Sequence, residues 1–227
     1  MINNKLIIAH RGASSYEKEN TIAAFKKAIE LNSDMIEFDI RKTRDNKIIV
    51  FHDEDVEKKK IEDMNYEEVI NKSECKVPTL EETLKSLSGK TKIIVHLKEE
   101  GYEEEVMNLI LKYFKKDEII VFSEFPNSLR KIKERYSHVK TGFVILVKYR
   151  NYVQVPFGFF QKKKILYSRA DYIAPPWQIV NKIFLIKAKR LKKPVLPWEV
   201  RNRKLAKKLL KRDIIAGIIT NKPDLMD

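Results

Sequence analysis

Residues 6–40 read LIIAHRGASSYEKENTIAAFKKAIELNSDMIEFDI, one complete strand–helix–strand unit. Leu6-Ile7-Ile8-Ala9 is a short apolar run that stops at His10-Arg11-Gly12. Asn20-Thr21-Ile22-Ala23-Ala24-Phe25-Lys26-Lys27-Ala28-Ile29 then repeats its apolar residues at helical spacing behind a plausible cap. Met35-Ile36-Glu37-Phe38-Asp39-Ile40 returns to strand, interrupted by two acids. Side chains alternate along a strand, so Glu37 and Asp39 point the same way. Buried charges are costly unless paired or bound to a metal; one such pair alone is ordinary, but together with three histidines at strand ends it suggests a site.

The same alternation runs outward to the end of the chain. Strand-like runs fall near 5–9, 34–40, 92–97, 118–123, 139–146, 171–174, 194–198 and 215–219. Helical stretches fall near 20–32, 79–88, 102–115, 126–136, 178–191 and 202–212. Pro78-Thr79-Leu80-Glu81-Glu82 opens one of them with a capping-box pattern, Thr79 to Glu82. Alternating strands and helices imply a parallel sheet, and this many in one uninterrupted chain predict an α/β (β/α)8 TIM barrel, a single domain over 1–227. One segment breaks the pattern. Arg44-Asp45-Asn46-Lys47 is a turn too short for a helical crossover, which predicts a β-hairpin extension after the second strand. A symmetric hairpin about that turn sets His52 opposite Asp39, at the C-terminal rim where barrel enzymes carry their chemistry.

The chain has only four histidines, and three of them end or interrupt strand-like runs: His10, His52 and His96. A lone histidine at a strand end is usually structural; three of them beside a Glu-x-Asp pair point to chemistry. His138 has no motif around it and reads as a surface residue. The net charge of +14 favours anionic partners, whether phosphate esters, anionic lipid headgroups or nucleic acid. No basic motif with base-stacking aromatics is present, so nucleic acid is not expected as a partner. The single cysteine, Cys75, excludes an internal disulfide framework and fits a reducing compartment. The N-terminus enters strand-like sequence without a secretory pattern, and no apolar run nears the roughly 20 residues of a membrane span. The expected location is cytoplasmic, with a peripheral membrane contact as the open question. Residues 146–167 raise it, because Phe157, Phe159 and Phe160 stand beside Lys162, Lys163 and Lys164. Such a cluster either docks on an anionic membrane interface or packs on the barrel.

His10-Arg11-Gly12 followed by Glu19-Asn20-Thr21 and Ala24-Phe25 resembles the opening motif of glycerophosphodiester phosphodiesterases. Glu37-Phe38-Asp39, Thr43-Arg44-Asp45 and His52-Asp53 continue the likeness in order. Pro78 to Glu82, Trp198 and Gly217-Ile218-Ile219-Thr220-Asn221-Lys222-Pro223 extend it almost to the C-terminus. The resemblance implies a (β/α)8 barrel that cleaves glycerophosphodiesters into glycerol phosphate and an alcohol. It implies a divalent metal, Mg2+ or Ca2+, held by Glu37, Asp39 and the residue at position 96. It makes His10 and His52 the acid–base pair, with Arg11 on the phosphate as a catalytic and substrate-binding group. Lys98 matches a family lysine near the phosphate or the metal ligands, and Trp198 an aromatic wall beside the glycerol. These roles suit phosphodiester hydrolysis, which needs charge neutralisation, an activated nucleophile and a protonated leaving group.

Four departures from the family pattern stand out. His96 occupies the place of a glutamate ligand, which removes a negative charge and shifts preference toward Mn2+, Zn2+ or Co2+. Glu99, Glu100 and Glu124 are candidates to compensate, and Glu100 shares the strand parity of His96. Lys18 stands where a proline is usual before Glu19, and Glu199-Val200-Arg201 follows Trp198 in place of Thr-Val-Asn. The stretch from Asp53 to Pro78 is short, leaving a more open site. An open site suits a lysophospholipase D-like activity on lysophospholipids as an alternative. The loss of a glutamate ligand suits a second alternative, a catalytically impaired barrel that binds phospholipids or phosphodiesters without cleaving them.

Overall fold

Burial follows the strand alternation. In the computed structural model, which describes residues 5–147 and 160–226, inward side chains of successive strands meet in one layer: Ile8, Met35, Ile94, Ile120, Phe122, Val144, Ala174, Leu196 and Ile219. Their neighbours of opposite parity, such as Ala9, Ile36, Phe38, Val95 and Val121, face the helices and form a separate core. Two apolar faces on each strand explain why the runs read as nearly continuous hydrophobic sequence.

The strands are β1 (Leu6–His10), β2 (Met35–Lys42), β3 (Ile48–Val50), β4 (Asp55–Val56), β5 (Lys59–Lys60), β6 (Lys92–Leu97), β7 (Ile119–Ser123), β8 (Lys140–Val144), β9 (Tyr172–Ala174) and β10 (Gly217–Thr220). Parallel pairing runs in the order β10-β1-β2-β6-β7-β8-β9. Residues 194–198 close the ring. Val195 bridges Ile173 on one side and Ile215 on the other, and Leu196 donates its N–H to the Ile173 carbonyl at 2.9 Å. That segment makes bridges and no extended ladder, because Pro194 and Pro197 carry no N–H to donate. The result is a TIM-barrel-like α/β fold.

Helices α1 (Ile22–Glu30), α2 (Tyr66–Lys72), α3 (Leu80–Leu87), α4 (Glu103–Ile110), α5 (Pro126–Arg135), α6 (Lys162–Ser168), α7 (Lys182–Arg190) and α8 (Arg203–Leu210) surround the strands. The expected capping box is present: Thr79 accepts the Glu82 N–H, and Glu82 accepts the Thr79 N–H. Helices α2 and α6 are additions to the predicted set. Each has seven residues, so each shows too few turns for periodicity to be read. Helix α2 is set by Asn65 and Glu68, with Val69 buried beneath it.

The hairpin after β2 is present, with a correction to its register. Ile40 pairs with Val50, Arg41 with Ile49 and Lys42 with Ile48, so Phe51, not His52, lies opposite Asp39. The loop spans five residues, 43–47, and is centred on Asp45, because the Thr43 hydroxyl bonds both Asp45 and Lys47. A loop one residue longer shifts every partner by one.

The aromatic–lysine stretch falls largely on 148–159, outside the described residues. Phe160, within them, packs edge-on against Phe184 at 5.0 Å between ring centres, on the barrel's helix-side core. Among the described residues, no helix is long and apolar enough to cross a membrane.

Three small devices hold this frame. Gly12, at φ +81°, lets the loop after β1 lie against α1; a Cβ there would sit 2.7 Å from the Ala24 carbonyl carbon. Gly142 leaves room for the Phe122 ring inside the barrel, where a Cβ would approach ring carbon Cε1 to 2.3 Å. We expect Gly12→Ala to cost about 1–3 kcal/mol, because it combines overpacking with an unfavourable φ, and thermal unfolding will show a Tm lower by several degrees. Asp171 ties β8 to β9: its Oδ2 accepts the Thr141 N–H at 2.9 Å and the Lys133 ammonium at 3.0 Å. Burial opposes ionisation, but Thr141, Lys133 and Lys140 hold its carboxyl below the ordinary range. A depressed carboxylate stabilises the fold above its unfolded pKa, about 4, and loses that contribution as pH falls below it. Asp171→Asn is therefore expected to cost about 1–3 kcal/mol at pH 7. Denaturant titrations should show the gap between variant and parent narrowing as pH falls below about 4.

Candidate active site

The inward parity that fills the barrel continues into polar residues at the C-terminal end of each strand. Ile8 leads to His10, Met35 to Glu37 and Asp39, Ile94 to His96, Phe122 to Glu124, Leu196 to Trp198 and Ile219 to Asn221. Register sets them side by side: His10 pairs with Glu37 across β1 and β2, and Asp39 with His96 across β2 and β6. His10, Arg11, Glu37, Asp39, His52, His96, Lys98 and Trp198 line one cavity with Phe122, Val144, Leu146 and Ile219. The structure thus brings together every site residue that the sequence singles out. His52 reaches the cavity from beyond β3, where the Arg41 Nε–H donates to its carbonyl at 3.0 Å.

Glu37 and Asp39 are 3% and 2% exposed, so their environment must compensate two charges. Arg11 serves both. Its backbone N–H donates to Glu37 Oε2 at 3.0 Å, and its guanidinium lies 3.1 Å from Asp39 Oδ2 and 2.7 Å from Glu19. Arg11 has φ +55°, a conformation the following Gly12 turn continues, and this turns its N–H toward β2. Its Nε is fully buried and ion-paired with Asp39, without a well-aligned hydrogen bond. Asn20, also at positive φ, donates from its amide to Asp39 Oδ2 at 3.1 Å and accepts the Asp39 N–H. Thr21, one residue on, is the residue that caps α1.

His96 completes the group. Its Nδ1 lies 3.0 Å from Asp39 Oδ1 and 3.7 Å from Glu37 Oε1, and its Nε2 lies 2.8 Å from Glu124 Oε2. Lys98 Nζ stands 3.9 Å from both Asp39 and Glu124. Of the three acids considered as compensation, Glu124 is the one that meets His96. Glu99 is engaged by Arg41 and the Lys42 N–H, and Glu100 is exposed, because β6 ends at Leu97 and the parity ends with it.

These environments split the carboxyls. Burial, then the neighbouring Asp39, pushes Glu37 up to about 7. Burial also works against Asp39, but His96, Arg11 and Lys98 hold it well below the carboxylate range. Glu124, likewise against burial, is held at about 2 by His96 and Lys98. Glu37, Asp39 and His96 place one ligand atom each within 4.8 Å of one another, all buried, which is a donor set suited to a divalent cation.

His10 is oriented by residues to which the sequence reading gave no role. Asn221 donates from its amide nitrogen to Glu199, which accepts only, so its carbonyl oxygen faces His10 Nδ1 at 2.7 Å. Nδ1 must then carry the hydrogen, and Nε2 keeps a lone pair. Burial, reinforced by Arg11, lowers His10 to about 4, so it is neutral at pH 7. His52 pairs through Nδ1 with Asp53 at 2.7 Å; burial and the charges of Arg11 and Lys98 lower its pKa, with Asp39 opposing. The Trp198 indole N–H is tied to the Ala174 carbonyl at 2.9 Å, which sets the ring at the cavity edge. Asn20 and Asn221 sit in quoted motifs, but only their tertiary partners disclose what they do; the signal for Glu124 was its parity two residues beyond Phe122.

Comparison with known proteins agrees with this geometry. Residues 10–225 match the model of the glycerophosphoryl diester phosphodiesterase family. YhdW of Bacillus subtilis is 31% identical over 243 residues, covering 97% of this chain and 96% of its own. A glycerophosphodiester phosphodiesterase of Caldanaerobacter subterraneus is 28% identical, with 97% and 96% covered. Among solved structures, a glycerophosphodiester phosphodiesterase of Thermotoga maritima superposes with a TM-score of 0.72 at 26% identity, covering 97% of this chain and 96% of the other. An Oleispira antarctica phosphodiesterase, solved with its product sn-glycerol-3-phosphate, shares the fold with a TM-score of 0.79 at 18% identity, covering 96% and 93%. The chain belongs to the glycerophosphoryl diester phosphodiesterase family.

Proposed function

We propose that this protein, acting as a single barrel domain over its 227 residues, hydrolyses glycerophosphodiesters to glycerol phosphate and an alcohol. One observation carries the reading: two histidines, an arginine and a lysine line the same cavity as a buried Glu–Asp–His donor set. The family to which the chain belongs supports the same substrate class.

The residues divide the work by charge. Arg11 and Lys98 hold the anionic phosphodiester with their cationic heads, both of which line the cavity. Glu37, Asp39 and His96 would hold a divalent cation, which when bound polarises the phosphoryl oxygens. Neutral His10 offers its Nε2 lone pair to the attacking hydroxyl or water. His52, steadied by Asp53, gives a proton from its protonated form to the departing alcohol oxygen, and solvent carries the proton gained by His10 back to it before the next turnover. Trp198 bounds the space for the glycerol.

The test is release of glycerol phosphate from glycerophosphocholine by metal-stripped protein, followed by addition of Mg2+, Ca2+, Mn2+, Zn2+ or Co2+. Turnover is expected only after metal is restored. His10→Ala and His52→Ala are each expected to lower it about 100-fold or more, with Tm little changed. Full activity in both variants would overturn the acid–base assignment, and full activity after stripping would overturn the metal role.

A further inference from the structure

We infer that Glu124 is the positioning carboxylate of a Glu124–His96–metal triad, which makes this a mixed nitrogen–oxygen site selective for Zn2+, Co2+ or Mn2+ over Ca2+ and Mg2+. This rests on the metal-dependent reading of the site given above. The two ring nitrogens of His96 face different groups. Nδ1 points toward Asp39 Oδ1 at 3.0 Å and Glu37 Oε1 at 3.7 Å, the other two members of the donor set. Nε2 points away from them, to Glu124 Oε2 at 2.8 Å. An ionised carboxylate only accepts hydrogen bonds, so in the metal-free site both His96 nitrogens carry hydrogen, and Nε2, aimed away from the donor set, keeps its own on Glu124. That leaves Nδ1 as the ligand atom, and a cation seated among the three donors takes the place of the hydrogen that Nδ1 now shares with Asp39.

The placement of Glu124 is built. β6 and β7 pair with His96 beside Phe122, and Glu124 follows two residues later on the same inward parity. Its side chain is 17% exposed, and its other oxygen faces Lys98 Nζ at 3.9 Å. Glu124 is therefore held on both oxygens, by the histidine it orients and by a lysine that also faces Asp39. Such carboxylate–histidine pairs fix the tautomer and raise the basicity of the ligand nitrogen. Glu124 lies on the far edge of the ring from the other donors, so it acts through His96. The charge that histidine removes from the ligand set is thus restored one shell out, and the exchange of an oxygen for a nitrogen donor moves preference toward borderline metals.

The experiment is calorimetric titration of the metal-stripped full chain with Zn2+, Co2+ and Ca2+, together with the visible absorption of the Co2+ form. The parent is expected to bind Zn2+ and Co2+ more tightly than Ca2+. Glu124→Ala is expected to weaken Zn2+ and Co2+ binding about 10–100-fold and to alter the Co2+ spectrum. Glu124→Gln, whose amide oxygen still accepts from Nε2–H, should recover part of the loss, and His96→Glu should turn the preference toward Ca2+. Circular dichroism of the metal-free variants checks that each remains folded. Unchanged Zn2+ affinity in a folded Glu124→Ala protein, or a parent that prefers Ca2+, overturns this inference alone. A parent that binds none of the three ions overturns the metal reading and this inference together.

Discussion

Two carboxylates leave the same face of one strand and are almost excluded from water. Among the described residues no other pair of acids is buried side by side in this way, and in a low-dielectric interior neither acid stays ionised without cations or donors arranged around it. Glu37 and Asp39 draw in Arg11 from the end of β1, Asn20 from the start of α1, His96 from β6 and Lys98 from just beyond it. Removing one cation from such a cluster leaves an unmatched buried charge, so the group stands or falls as a unit.

The barrel meets that demand through its geometry. Parallel strands keep neighbours level, so the second strand's acids find histidines on both sides: His10 beside Glu37 and His96 beside Asp39. Below this layer the inward positions are apolar and packed; above it the chain leaves the ladder and polar groups meet solvent. The site is therefore the top storey of the core, and it inherits the rigidity of the layer beneath. Burial then separates the titrating groups. It favours neutral His10 and raises Glu37, while Asp39 and Glu124 are kept charged by the cations they face.

Residue 96 shows how one exchange of ligand type propagates. A histidine in a ligand set brings a second nitrogen that needs its own partner, and here that partner is Glu124. On the opposite flank, Glu199 and Asn221 do the equivalent for His10. Both flanks place an acid behind a histidine, which fixes which nitrogen keeps its hydrogen and which faces the cavity.

The amino-acid order by itself determined the fold class and marked the candidate site residues that line one cavity, because both rest on short-range regularities. Alternating apolar runs and helical periodicity spell a parallel α/β barrel, and the polar residues that break the runs mark the rim. The limits of that reading are equally physical. Hairpin register depends on whether a loop holds four residues or five, and the Thr43–Asp45–Lys47 hydrogen bonds settled that only in three dimensions, moving Phe51 opposite Asp39. The closing segment at 194–198 makes bridges where a ladder was expected, since its prolines lack N–H groups. Which of Glu99, Glu100 and Glu124 meets His96 was decided by where β6 ends and how β7 aligns beside it. Orientation of His10 by Asn221 and Glu199 joins residues 211 positions apart, a contact that local pattern does not encode and that only closure of the barrel creates.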